Sequence, residues 1–147
     1  MDKSKKFKGR SISKGHAEGE AMVSSQFFGF THGLEPKTGN ITDERHEWRG
    51  QNVKGKVLVF PFGKSSSSGG LFVLEGIRNG NAPAAMVNVE TEPVTGAGFV
   101  MGKIFYGKEI PVVDRLNCNP IEEIKPGDYV IVNGDEGTVE VRPKKGK

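Results

Sequence analysis

Four consecutive hydroxyls, Ser65-Ser66-Ser67-Ser68, framed by Gly63-Lys64 and Gly69-Gly70, follow directly on the apolar run Val57-Leu58-Val59-Phe60-Pro61. Hydroxyls and glycines fill a core badly, but they suit a loop whose amides and side chains converge on a carboxylate or phosphate. Leu71, Leu74, Ile77 and Arg78 then recur at helical spacing and stop at Gly80, so the serines fall where a helix N-terminus begins and where partial positive charge collects. Lys64 adds an ammonium group that can neutralise an anionic substrate or ease the ionisation of a neighbouring hydroxyl. A serine-glycine tract can also be a plain linker. This one interrupts a single strand, turn and helix unit rather than joining two domain ends, which argues for a site.

Other chemistries fit less well. Gly63-Lys64-Ser65 resembles the end of a phosphate-cradling P-loop, but the first glycine of that motif falls on Leu58, inside a strand. No G-x-S-x-G elbow is present, and Ser11-Ile12-Ser13-Lys14 matches S-x-x-K only beside the basic N-terminus. His16, His32 and His46 lie too far apart to share a helical face, and each reads most simply as a hydrogen-bonding residue at or near the surface. Cys118, the single cysteine, permits no internal disulfide and no self-contained cysteine-rich metal site, so this chain is expected to bind no cofactor itself.

The elements that must position the loop are short apolar stretches separated by glycine and proline. They predict strands at 21–23, 57–60, 84–89, 98–101, 111–113, 129–132 and 138–141, a helix after the serine run, a short turn at 121–124, and a glycine-rich hairpin at 133–137. Residues 30–50 are irregular, either an ordered loop over the site or a surface excursion. The 147 residues fit one domain with a sizeable core. The formal charge is +3, yet residues 11–141 carry twelve basic and seventeen acidic side chains, a net of −5. The division expected is a basic tail at 1–14, a folded domain at 15–141 and a basic tail at 142–147. A mildly acidic body without interleaved aromatics argues against nucleic acid. No apolar run approaches the roughly 20 residues of a membrane span, and no secretion signal is visible, so the cytoplasm is the expected compartment.

Taken in order, Gly39-Asn40-Ile41-Thr42-Asp43, Gly55 through Pro61, the serine run, Asn81-Ala82-Pro83-Ala84-Ala85, Ile110 through Asp114 and Pro126-Gly127-Asp128-Tyr129-Val130 resemble the small subunit, or swivel domain, of the aconitase X family. The likeness spans about residues 15–141. It implies an α/β fold, a single β-rich swivelling β/β/α domain, that pairs with a large catalytic subunit carrying an iron-sulfur or iron centre. It also implies a hydro-lyase acting on a small anionic hydroxy acid such as 5-phosphomevalonate or cis-3-hydroxyproline. In the family the metal centre accepts the leaving hydroxyl and a serine of the small subunit removes the adjacent proton. That serine lines up with Ser66. Ser65 stands where a glycine is usual and Gly70 where a serine is common, which keeps Ser65 and Ser67 open as alternative bases. The amides and hydroxyls of Lys64, Ser65, Ser67, Ser68, Gly69 and Gly70 are then the expected substrate contacts. Two other readings use the same residues differently: a non-catalytic module that binds an anion or a partner, and a phosphohistidine swivel domain, which the lack of histidine beside the loop disfavours.

Overall fold

The computed structural model describes residues 3–64 and 67–144. Its elements are β1 (Lys5–Lys8), β2 (Arg10–Ser13), β3 (His16–Val23), β4 (Val57–Phe60), α1 (Gly69–Arg78), β5 (Ala85–Asn88), α2 (Pro93–Tyr106), β6 (Val112–Asp114), α3 (Pro120–Glu123), β7 (Tyr129–Asn133) and β8 (Thr138–Arg142). All eight strands join one sheet in the order β1-β8-β7-β3-β4-β5-β6-β2. The middle four, β3 to β6, run parallel, and antiparallel strands flank them on both sides. The expected β-rich α/β domain is what the chain forms.

Strands β4 and β5 are buried along their whole length, which is why they read as unbroken apolar runs rather than as alternation. Their side chains still alternate between two cores. Val57, Val59, Ala85 and Val87 pack with Val113, Val130, Val132 and Val139. Leu58, Phe60 and Met86 face the other way, under α1, α2 and the long segment 24–56, which contributes Phe28, Phe30, Leu34, Ile41 and Trp48. That irregular segment is therefore an ordered part of the core.

Two expectations need correction. The residues at 98–101 are not a strand but the middle of α2, a third helix. Its glycines hid it, since Gly96, Gly98 and Gly102 depress helix propensity. Its ends carry ordinary signals: the Glu92 carboxylate accepts from the Val94 and Thr95 amides, Pro93 opens the first turn, and Gly107 closes the helix in the left-handed region at φ 67°. The stretch 1–14 is likewise not all tail. It supplies β1, paired with β8, and β2, paired with β6, so one ribbon of chain covers both ends of the sheet. Gly9 makes the passage possible, because a Cβ there would lie 2.3 Å from the Asp114 carbonyl oxygen. Charge concealed these strands, with only Phe7 and Ile12 as apolar residues among lysines, arginine and serines.

His46 is buried among Phe28 and Trp48, with ring centroids 5.2 and 4.8 Å away. Its Nδ1 accepts from the Trp48 amide at 3.0 Å, so the proton of the neutral ring is on Nε2. Burial holds the imidazole below its ordinary 6.5; Asp43, Glu47 and the Gln26 backbone pull the other way, and Lys64 adds to the depression.

Both features give measurable outcomes. A Cβ on Gly98 would lie 2.8 Å from the Cα and carbonyl oxygen of Gly70, and backbone cannot yield as a side chain does. Gly98→Ala is thus expected to cost about 2 kcal/mol, read from the urea midpoint, despite alanine's better helix propensity. For His46 the unfolded chain takes up the proton first, so stability is fully present above about 6.5 and falls as the pH drops below it. His46→Phe should flatten that limb when urea midpoints are compared between neutral and mildly acidic pH.

Candidate functional site

The carboxyl ends of the parallel strands β4, β5 and β6 open onto three connected turns, the place where sheets of this kind bind ligands. The chain leaves β4 through Pro61 to Lys64 and enters α1 at Gly69. It leaves β5 through Val89 to Glu92 and enters α2. Backbone bonds tie the turns together: the Val89 and Glu90 amides both donate to the Pro61 carbonyl at 3.1 Å, and the Arg115 amide donates to Val89 at 3.1 Å. Beneath them Asp114 is fully buried. It accepts from Arg10 Nε and Nη2 at 2.9 and 2.8 Å and from the Thr91 amide at 2.8 Å. Burial alone would raise the Asp114 carboxyl; Arg10 and the Thr91 amide outweigh it and hold the group below its ordinary range.

A second wall comes from residues 28–33. Phe28 bridges Gly63 in parallel fashion, and the Lys64 amide donates to the Phe28 carbonyl at 3.1 Å. Two glycines permit this approach. A Cβ on Gly29 would lie 2.9 Å from Lys64 Cβ, and one on Gly63 would lie 3.1 Å from Glu92 Cβ. Glu92 is itself buried, accepting from Thr95 Oγ1 at 2.8 Å as well as from the two amides that cap α2. The carboxylate is spent on the start of α2 and so braces the serine loop from behind.

The expected site residues fall as follows. Ser65 and Ser66 lie outside the described residues. Ser67 is exposed, Ser68 is the N-cap residue of α1, and Gly69 is buried at the first helical position. Ser68 Oγ lies 2.9 Å from Thr31 Oγ1, which fastens the loop to the second wall. Lys64 is exposed, and its Nζ reaches Asp43 Oδ2 at 3.3 Å. Burial would raise Asp43; the Arg45 amide and the Lys64 ammonium outweigh it and keep the group ionised below its usual range. Lys64 thus stands at the loop with its charge shared. Gly70 faces α2, where a Cβ would lie 2.9 Å from the Val94 carbonyl oxygen, so its lack of a side chain serves the helix crossing.

A cavity of about 430 Å³ opens between the second wall and residues 42–45, lined by Thr31, His32, Thr42, Asp43 and Arg45 among others, with Lys64 reaching it from the serine loop. His16 and His46 are elsewhere: His16 meets Asp135 at 2.9 Å, and His46 is in the core. Cys118 is half-buried and burial pushes its thiol up to about 11, which suits neither a nucleophile nor a thiolate ligand. Among the described residues no three His, Cys, Asp or Glu side chains converge as a metal site. No helix of the described residues is long and apolar enough to cross a membrane.

Sequence reasoning missed Glu92, Thr31, Asp43 and the Arg10–Asp114 pair. Glu92 carried a signal, an acid directly before proline with threonine three positions on, which is an N-cap pattern. The other contacts join residues 37, 21 and 104 positions apart and leave no local trace.

The architecture and the chain match known proteins over nearly their full length. A family model of the aconitase X swivel domain matches residues 6–141. The phosphomevalonate dehydratase small subunit of Methanosarcina acetivorans is 45% identical over 97% of this chain and 95% of its own. The protein of the same name from Methanocaldococcus jannaschii is 41% identical over 93% and 98%. A chain of the crystal structure of Thermococcus kodakaraensis aconitase X in its holo-form superposes with a TM-score of 0.84 at 37% identity, covering 93% of this chain and 98% of that one.

Proposed function

This chain belongs to the aconitase X swivel-domain family, and from that premise we propose that it is the small subunit of a phosphomevalonate-dehydrating hydro-lyase, lending its serine loop to an active site shared with a large subunit. The observation that carries the reading is the near end-to-end identity, 45% over 97% of the chain, to a relative bearing that name.

Loss of water from a 3-hydroxy acid removes a proton from the carbon beside the carboxylate. The C–H electron pair becomes the double bond as the C–O bond breaks, and one water leaves. This chain's part is the proton, and Ser66 is the group assigned to take it. A serine hydroxyl is a weak base in water, so it must be polarised. Three features supply the field: the N-terminal amides of α1, the Lys64 ammonium, and low dielectric once a partner closes over the loop. The same amides at Ser67 to Gly70 can hold an anionic end of the substrate. On this reading the large subunit would hold an iron-sulfur or iron centre, which would supply Lewis acidity for the departing hydroxyl.

An exposed apolar face on the two helices supports a subunit contact. Along α2, Val100, Met101, Ile104, Phe105 and Tyr106 are exposed, Ile104 by 72%, and Leu71 in the first turn of α1 is exposed by 66%. An apolar face of this kind is ground for the large subunit to cover.

Ser66→Ala is expected to lower turnover of the reconstituted two-subunit enzyme by roughly 10²- to 10⁴-fold while the complex still assembles; turnover at the wild-type rate would refute the base. The double variant Ile104→Glu, Phe105→Glu should fold as the wild type by circular dichroism yet fail to co-purify with the large subunit. Undiminished co-purification would remove α2 from the interface.

A further inference from the structure

His32 belongs to the cavity but has no part in the chemistry described so far. Its backbone is in the left-handed region at φ 58°, one of only two non-glycine positions to adopt it among the described residues. An L-residue pays for that conformation in strain, and such residues cluster where a side chain must be presented to a ligand. The surroundings over-determine it. Thr42 Oγ1 donates to the His32 carbonyl at 2.9 Å, the Gly33 and Leu34 amides both donate to Phe30, and the Thr42 amide donates to Gly33. The neighbouring Thr31 grips Ser68, so the turn that bends His32 outward is fastened to the serine loop.

The ring is oriented but not used. It stands edge-on to Phe72 of α1 at 5.2 Å, and among the described residues no hydrogen-bond partner meets its nitrogens. It shares the cavity with Arg45 and Lys64, two cations, and with the hydroxyls of Thr31 and Thr42. Of the two acids there, Asp43 is already balanced by Lys64 and the Arg45 amide, and Glu44 is exposed.

We propose that His32 is a specificity-determining residue whose imidazole, with Lys64 and Arg45, receives the phosphate end of the substrate, beside the loop that carries the base. A dianion with three acceptor oxygens can take a donor from each of these three groups at once. The inference rests on the dehydratase reading for its substrate, but not for its binding chemistry. Phe72 fixes the ring plane, and the left-handed turn aims it.

The test uses two variants that tolerate the backbone, His32→Gly and His32→Asn. Each should fold with an unchanged or higher melting temperature. In the two-subunit enzyme the KM for 5-phosphomevalonate should rise about tenfold or more with kcat within about threefold, and the inhibition constant of inorganic phosphate should rise in parallel. A KM and an inhibition constant both within twofold of wild type would overturn the proposal. So would a raised KM with unchanged phosphate inhibition, which would put His32 at the carboxylate end. An independent arm follows the histidine ring resonances of the full chain during titration with inorganic phosphate. The His32 signals should move while those of His16, held by Asp135, stay, and a still His32 would overturn the proposal. That arm is unaffected if Ser66→Ala retains activity, so loss of the base reading and loss of the phosphate contact are separately visible.

Discussion

The backbone of α1 meets the backbone of α2 at Gly70 and Gly98 with no side chain between them, and the geometry of the site hangs on that contact. It lies one residue past the point where the serine loop enters α1. A Cβ on either glycine would press on backbone of the other helix. Side-chain packing leaves a helix some freedom to slide; backbone against backbone leaves little. The start of α1 is thereby fixed relative to the start of α2, where Glu92 caps the helix and lies against Gly63. The positions of the loop, its flanking helix terminus and its rear support are three results of one close approach.

A second layer of constraint comes from the segment between β3 and β4. It has little regular structure, yet it inserts Phe28, Phe30, Leu34 and Trp48 into the core and returns Thr31, His32 and Asp43 to the rim of the cavity. The rim residues are held by aromatic anchors one to five positions away, a sound way to keep a polar loop in place. His46 does this at a cost in acid, since it is an imidazole kept neutral within the same cluster.

The parts legible in the sequence were those whose reason is local. Strand β4 announced itself because both its faces are buried, and α1 because its spacing and the glycine after it are ordinary. The serine loop stood out because nothing in a core needs four hydroxyls. What stayed hidden was decided by partners far along the chain. The glycines of α2 look like helix breakers until Gly70 and Ile77 are seen on the other side. The charges of β1 look like a solvated tail until β8 is seen beside it. The left-handed turn at His32 has no sequence signature at all, since histidine carries no preference strong enough to foretell it. The choice among Ser65, Ser66 and Ser67 rests on family register alone.

The route of residues 3–13 has a bearing on how the molecule tolerates handling. Because β1 and β2 lie on opposite margins of the sheet, a single short ribbon shields the hydrogen-bonding rows of both β8 and β6. Trimming that ribbon away would bare two ladders at once, each a template for pairing with a foreign chain. The lysine-rich opening, dispensable by its composition, is what covers both of those edges.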